Sequence, residues 1–266
     1  MMFLYIHWNV NPEVFSIGGW GPRWYGLLFA LGFVFGYYIM LKYFKKEGIK
    51  QEVLDSLTMY IFLGTIIGAR LGHCLFYEPA YYLANPIKII MVWQGGLASH
   101  GAAVGIIAAL YLFSRKFKKT FFWIMDRSMI VIPLALFCIR MGNLMNSEIY
   151  GHVTTLPWGF VFEQNGETLP KHPTQLYEGL SYLFIFILLY LINSKTNVIT
   201  ERKGLLFGLS FILLFSARFL IEFVKEDQVN FEANMTLNMG QWLSIPFILI
   251  GIIVVYFSLQ QKTVKK

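Results

Sequence analysis

The run WYGLLFALGFVFGYYIML, residues 24–41, holds eighteen residues without a charge and is followed at once by Lys42, Lys45 and Lys46. About 20 apolar residues in a helix cross the hydrocarbon core of a bilayer, so this run reads as a membrane span that ends in cations. Two similar runs follow: 97–114, where His100 is the one ionisable group, and 239–259, which has none. Four more segments have the length but carry ionisable residues. They are about 56–77 (Arg70, His73), about 120–140 (Asp126, Arg127, Arg140), about 174–194 (Glu178) and about 204–224 (Arg218, Glu222). The expected fold is therefore all-α, a polytopic membrane protein with about seven transmembrane helices. Composition agrees, with 56 % hydrophobic and only 14 % charged residues and a mean hydropathy of +0.56. A soluble domain carries about 25 % charged residues. A disordered chain, a secreted disulfide scaffold and a soluble nucleic-acid binder are all excluded.

The net charge of +7 raises the question of a polyanionic partner. Its distribution answers it, because Lys and Arg gather in short loops on the cytoplasmic side of a membrane protein. Fourteen of the 22 cations lie after spans one, three and five and in the tail. These include Lys42, Lys45, Lys46 and Lys50, then Arg115, Lys116, Lys118 and Lys119, then Lys195, Arg202 and Lys203, and finally Lys262, Lys265 and Lys266. The opposite side holds only Arg23, Lys88, Lys171 and Lys225, and the last four cations lie in or at the ends of spans. The N-terminus is thus expected outside and the C-terminus in the cytoplasm, with no nucleic-acid partner. Residues 1–15, MMFLYIHWNVNPEVF, lack a charged leader and a small-residue cleavage site, so no removable signal peptide is expected. Residues 1–266 read as a single transmembrane domain, with the loop at 142–173 as a small extracytoplasmic head. Cys74 and Cys138 lie in apolar spans without a CxxC spacing, which points to buried thiols and not to a disulfide or a metal site.

An ionisable residue inside a span is costly, and by default faces protein or a wet cavity. The densest group is IRMGNLMNSEIYG, residues 139–151. A helix continuing past Arg140 would set Arg140, Asn143 and Ser147 on one face, with Gly142 open to a close neighbour. With Asn146 and Glu148 this group suits an anionic, hydroxylated headgroup, since arginine offers phosphate a two-pronged fork. An Arg–Glu ion pair tying the helix to its loop is the equal alternative. Arg218 and Glu222 in SARFLIEF stack at i, i+4, as a self-neutralising pair or as a second phosphate contact. Arg70 and His73 in GARLGHCLFY suit a snorkelling arginine and a hydrogen-bonded histidine at least as well as a site. His100, in QGGLASHGAAVG, has glycines at 95, 96, 101 and 105 that would open space around an imidazole able to take a proton near neutral pH. It reads equally as a structural histidine. In KHPTQLYEGL, residues 171–180, Glu178 sits just inside a helix start and serves capping or function. Tyr25 reads first as an aromatic-belt residue.

The segment 139–151 closely resembles the signature G-R-x-G-N-F-x-N-x-E-x-x-G of bacterial prolipoprotein diacylglyceryl transferases. RWYG, GARLGH, WQGGLASHG, KHPTQLYE and ARFLIEF followed by NMGQWLSIP resemble the same family, in family order from residue 23 to 246. Departures are Ile139 for the signature's first glycine, Leu144 for its phenylalanine and Ser147 for a frequent glycine. Ser99 stands where an aromatic is often found, Ala102 replaces a glycine, and Lys225-Glu226-Asp227-Gln228 lacks the family's proline.

The resemblance implies transfer of the diacylglyceryl group of phosphatidylglycerol to the lipobox cysteine thiol of a prolipoprotein, with release of glycerol phosphate. It implies a monomer in the bacterial cytoplasmic (inner) membrane, with no cofactor and no metal. His100, Arg140, Arg218 and Tyr25 are the expected catalytic residues. Arg140, Asn143, Asn146, Glu148, Gly151, Glu178, Glu222 and Arg70 are expected to bind substrate. His100 is the expected base, with Tyr25 or a water held by Glu222 as the alternative, and the cavity is expected to open sideways to lipid. A transporter would instead show paired broken helices, and an intramembrane protease a facing Ser/His pair or two aspartates in spans.

Overall fold

The computed structural model describes residues 5–16, 21–92, 95–196, 198–227 and 235–261. Trp93, Gln94, Gln228, Lys262, Lys265, Lys266 and the first four residues lie outside the described residues. The chain is mostly helical: α1 (Trp24–Lys46), α2 (Gln51–Phe76), α3 (Pro79–Ala84), α4 (Ser99–Phe117), α5 (Phe121–Met145), α6 (Thr174–Lys195), α7 (Val198–Glu201), α8 (Leu205–Ile221) and α9 (Met239–Gln260). Six of these, α1, α2, α5, α6, α9 and α8 with the 3-10 turn Glu222–Val224 that continues it, are long and apolar enough to cross a membrane. Two short strands, β1 (Ile6–Trp8) and β2 (Phe160–Phe162), pair in parallel with Ile6 opposite Phe160 and Trp8 opposite Phe162.

Contacts divide the chain into two units, residues 39–124 and residues 1–38 with 125–266. In the first, α2 and α4 run antiparallel along two rows of small residues. Gly64, Gly68 and Gly72 on α2 meet Ala109, Gly105 and Gly101 on α4, and a Cβ added to Gly68 would fall 2.7 Å from the Gly105 Cα. Small residues at every fourth position let two helix backbones touch where lipid supplies no hydrophobic drive for packing. These glycines therefore face α2; the expectation that Gly101 and Gly105 open space around His100 is corrected.

In the second unit α8 and α9 meet in the same manner at Gly208 and Gly251, where a Cβ on either would lie 2.8 Å from the other's carbonyl oxygen. The buried residues of α9 are Gly240, Gln241, Ser244, Gly251 and Ser258, while Trp242, Leu249, Ile253 and Phe257 are exposed. Small and polar inside, large and apolar outside, is the pattern of a helix whose solvent is lipid. The first turn of α8 would leave amide donors unsatisfied in such a medium. Asp126 of α5, fully buried, accepts from the amides of Gly204 at 2.6 Å and Phe207 at 2.9 Å.

Residues 146–173 fold over the end of α5. Leu144, Phe160 and Phe162 form a small core with Trp8, Tyr150 and Leu176 around it. The Trp8 indole N–H donates to the Leu144 carbonyl at 3.0 Å, a second donor to an oxygen that also accepts the Ser147 amide at 3.0 Å.

Candidate active site

The site is built where α5 ends. The helix runs on to Met145, and the chain then turns sharply through Ser147 (φ 53°) and Ile149 (φ 61°). Ser147 occupies the left-handed region that favours glycine, and a β-branched residue such as Ile149 is rarer still there. Contacts from outside the turn hold it. Asn165 donates to the Ser147 carbonyl at 2.6 Å, Gln175 to that of Glu148 at 2.7 Å and Thr174 to that of Ile149 at 2.8 Å. The Thr-Gln pair that opens α6 is therefore bound to this turn. Ser147 lies past the helix end, so the expectation that it shares a helical face with Arg140 and Asn143 is corrected.

Arg140 is the hub. Its Nε lies 2.5 Å from Glu178 Oε2 on α6, its Nη1 donates to Asn143 Oδ1 at 3.0 Å, and it hydrogen-bonds the Tyr182 hydroxyl. Asn143 in turn donates to Glu148 Oε1 at 2.8 Å, and Asn146 donates to the same oxygen at 3.3 Å. The ion pair of Arg140 is thus with Glu178, and Asn143 stands between it and Glu148. Glu178 is fully buried and also lies 3.5 Å from the Lys225 ammonium, which reaches Glu222 at 3.3 Å. Glu222 pairs with Lys225, although its backbone amide still bonds the Arg218 carbonyl, and no ion pair joins it to Arg218 among the described residues. The Arg218 Nε is buried without a hydrogen-bond partner, although Arg218 and Arg140 both lie within electrostatic reach of Tyr182. A buried, unpaired N–H on a charged group is costly, and a hydrogen-bond acceptor would relieve that cost. The Asn146 Oδ1 is likewise buried and open.

Tyr25 packs on Gly142, where a Cβ would fall 3.1 Å from the Tyr25 Cα, and its hydroxyl lies in the field of Glu148 and Arg140. Gly151 is enclosed by His172 and Thr174, each 2.8 Å from where its Cβ would be, and pairs with Lys225 through a β-bridge. The loop carrying Glu148 is thereby tied to the segment after α8. Lys171 reinforces this tie by bonding Glu226 and, at 3.0 Å, Glu167. Burial pulls the Lys171 pKa down, but these carboxylates outweigh it and hold the group above its ordinary value. Glu167 is held below the usual carboxylate range by Tyr150 and Lys171 against the opposing effect of burial. Burial, then the nearby His152, keep His172 below the ordinary imidazole value.

Arg70 and His100 belong to the other unit. Arg70 is buried and donates to four backbone carbonyls: Nε to Ile89 at 2.9 Å, Nη1 to Gly95 at 2.5 Å and Gly96 at 3.2 Å, Nη2 to Lys88 at 2.5 Å. It also lies over the Tyr82 ring. Its N–H groups organise the loop leading to α4, whose second residue is His100. The His100 imidazole is exposed and flanked by the Phe76 and Tyr77 rings, with centroids 5.6 and 5.7 Å away. Cys74 and Cys138 are buried free thiols. Among the described residues no three His, Cys, Asp or Glu side chains are grouped to hold a metal.

The sequence passed over two members of the network. Tyr182 follows Glu178 by one helical turn and so shares its face, and Lys225 follows Glu222 by three. Both spacings were available; nothing local said that the two carboxylates belong to one network.

The fold and the site define a helical membrane protein with an ion-paired arginine hub at one end of its spans. The family model described as prolipoprotein diacylglyceryl transferase matches residues 12–257, and the chain belongs to this family. It is 47 % identical over 258 residues to the phosphatidylglycerol–prolipoprotein diacylglyceryl transferase of Tolumonas auensis, covering 97 % of this chain and 99 % of the relative. The proteins of the same name from Chloroherpeton thalassium and Bacteroides fragilis are 45 % and 42 % identical, over 98 % and 99 % of this chain and 97 % and 99 % of their own lengths.

Proposed function

We infer that this chain is a phosphatidylglycerol–prolipoprotein diacylglyceryl transferase of the bacterial inner membrane, catalysing the first step of lipoprotein maturation. The observation that carries this is full-length membership of the family together with an arginine hub suited to a phosphodiester. In the reaction the substrate cysteine sulfur attacks the diacylglyceryl carbon that bears the phosphate ester. A C–S bond forms, the C–O bond breaks, and glycerol phosphate leaves with the electron pair.

A free thiol has a pKa of about 8.5 and is mostly protonated at neutral pH, so a base is needed. His100 takes that proton in this reading, supported by its exposed imidazole at the start of α4. The leaving phosphate gains charge, and fixed cations at a low-dielectric site stabilise such charge best. Arg140 serves here, pre-aligned by Glu178, Asn143 and Tyr182, and Arg218 adds its unpartnered N–H. Asn143, Asn146 and Glu148 hold the headgroup hydroxyls, and Tyr25 and Gly151 shape the pocket. Glu222 acts through Lys225, and Arg70 acts as a positioning residue through the loop it gathers. The protein works as a monomer without a cofactor.

The same reading includes seven spans, with α4 as the seventh. A helix of 19 residues is about 28 Å long, close to the thickness of the hydrocarbon core. Parity supports it. β1 precedes α1 and β2 follows α5, and paired strands must share one side of the bilayer. An even number of crossings must separate them, and α1, α2, α4 and α5 supply four. The cation distribution supports that side as the outside, and in this reading residues 142–173 are the extracytoplasmic head of a single transmembrane domain and the C-terminus is in the cytoplasm.

The test is to incubate the purified protein with phosphatidylglycerol and a lipobox peptide. A diacylglyceryl mass increment on the peptide with equimolar glycerol phosphate is expected; neither product appearing refutes the assignment and leaves a lipid binder or transporter.

A further inference from the structure

Residues 153–162, VTTLPWGFVF, carry no charge, yet the stretch from Val153 to Trp158 is largely exposed on an otherwise polar loop. It is a built finger. Thr154 N–H donates to the Pro170 carbonyl at 2.9 Å, Phe160 and Lys171 exchange backbone bonds at 2.9 and 2.8 Å, and Gly159 N–H closes the tip onto Leu156 at 3.0 Å. Leu156 and Trp158 at the tip are exposed, Trp158 by 51 %. A rigid loop that presents a leucine, a proline and a tryptophan to water would be unfavourable, since burying such side chains is a main source of folding stability.

Trp158 is not free to choose its level. Its indole N–H donates at 2.9 Å to the hydroxyl of Tyr177, in the first turn of α6, and that hydroxyl also contacts His172 Nδ1 at 3.2 Å. Tyr177 lies at i−3, i−7, i−10 and i−14 from Leu180, Phe184, Ile187 and Leu191, so all five share one helical face. Leu180 is 58 % and Phe184 65 % exposed, and Ile187 and Leu191 continue the apolar stripe. On a spanning helix that stripe faces lipid. The finger therefore tops a lipid-facing stripe, at the height where the helix emerges from the hydrocarbon. Tryptophan and tyrosine, each with an apolar body and a polar handle, favour this interfacial layer.

We propose that Leu156, Pro157 and Trp158 form an interfacial anchor, seated in the headgroup layer of the leaflet around the start of α6, and that lipid covers this apolar tip. The anchor goes beyond the transferase reaction: it sets the height of residues 146–173, and so of the Glu148 turn, against the bilayer surface. Its contact is apolar and uncharged, so it survives high salt.

The experiment uses the whole protein in phosphatidylglycerol–phosphatidylcholine nanodiscs, with nitroxide labels at single introduced cysteines. Cys74 and Cys138 are buried, which favours labelling at the new sites. Leu156→Cys is compared with Leu180→Cys as the lipid reference and with exposed Gln164→Cys as the aqueous one. Oxygen should relax the label at 156 more than an aqueous nickel complex does, as at 180, and adding 1 M salt should not change this. Nickel access at 156 equal to that at 164 overturns the proposal. Protection that arises only when lipobox peptide is added overturns it in favour of a substrate-docking surface. Because Leu156 projects from the protein and is not buried in its core, its replacement leaves the fold intact; retained transfer activity in the labelled variant verifies this.

Discussion

Replacing Arg140 with lysine separates charge from geometry at the hub. The guanidinium holds Glu178 at 2.5 Å, Asn143 at 3.0 Å and the Tyr182 hydroxyl in three directions. A lysine keeps the charge and can still reach Glu178, but its single nitrogen cannot serve all three partners. A hydrogen bond to a charged group contributes about 1.5–3 kcal/mol, so losing the other two costs about 3–6 kcal/mol. The arginine side chain is only 16 % exposed, so solvent screens little of this. At ~1.4 kcal/mol per tenfold in rate, the fall in kcat/KM is about a hundredfold at the least. Asn143, released from Arg140, also loosens the Glu148 turn. The assay is diacylglyceryl transfer to a lipobox peptide in nanodiscs, with thermal unfolding measured alongside to show that the variant still inserts and folds. Arg140→Ala should abolish transfer, and Arg140→Lys should sit close to it. A lysine variant within about threefold of wild type would refute the reasoning, because a point charge would then suffice.

Tyr182→Phe removes one hydroxyl from the same hub and should lower transfer about tenfold without altering insertion, as expected for one charge-assisted hydrogen bond; wild-type rates would show that the hydroxyl does not help to hold Arg140. Gly68→Ala forces a Cβ onto the Gly105 backbone and should lower the thermal midpoint by the equivalent of ~1–3 kcal/mol, whereas Gly26→Ala, with nothing within 4 Å of its Cβ, should leave it unchanged. Residues 146–173 should be most protected in a middle pH window. His172 is depressed from 6.5, so its contribution is present above that value and lost as pH falls; Glu167, depressed from 4.5, adds a further loss at lower pH. Lys171 is raised above 10.5, so its contribution fails only as pH climbs past that value. Amide exchange at Gly151 and Lys171, corrected for intrinsic rates, reads this directly, and His172→Gln should flatten the limb just below 6.5.

The spans were legible because a row of eighteen uncharged apolar residues nearly matches the hydrocarbon thickness and leaves a soluble helix no polar face. Their ends were less so: α5 continues past Arg140 to Met145, since Gly142 and Asn143 do not by themselves break a helix whose face is packed on Tyr25. Arg140, Asn143 and Glu148 were readable as a group through local spacing. Their partners were not, because Glu178 lies 38 residues from Arg140 in sequence and only the return of α6 beside α5 joins them. Arg218 and Glu222 misled for the opposite reason. A perfect i, i+4 spacing brings two side chains near each other without saying which partner each takes: the turn between them is intact, with the Glu222 amide bonded to the Arg218 carbonyl, yet Glu222 pairs with Lys225. The glycines near His100 were visible, but their task, letting α2 and α4 touch, belongs to a second helix that the local sequence does not describe.

The parallel pairing of residues 6–8 with 160–162 bears on how the protein is made. A ribosome working at about 5–20 residues per second needs on the order of ten to thirty seconds between synthesising the first strand and the second. Through that interval the helices from α1 to α5 are made while the N-terminal strand has no mate. The helix pairs must therefore assemble without it, and the Trp8 clasp on the end of α5 closes late. A bulky fusion ahead of residue 6 would consequently spare insertion and delay the last step, in which the Arg140 turn becomes fixed.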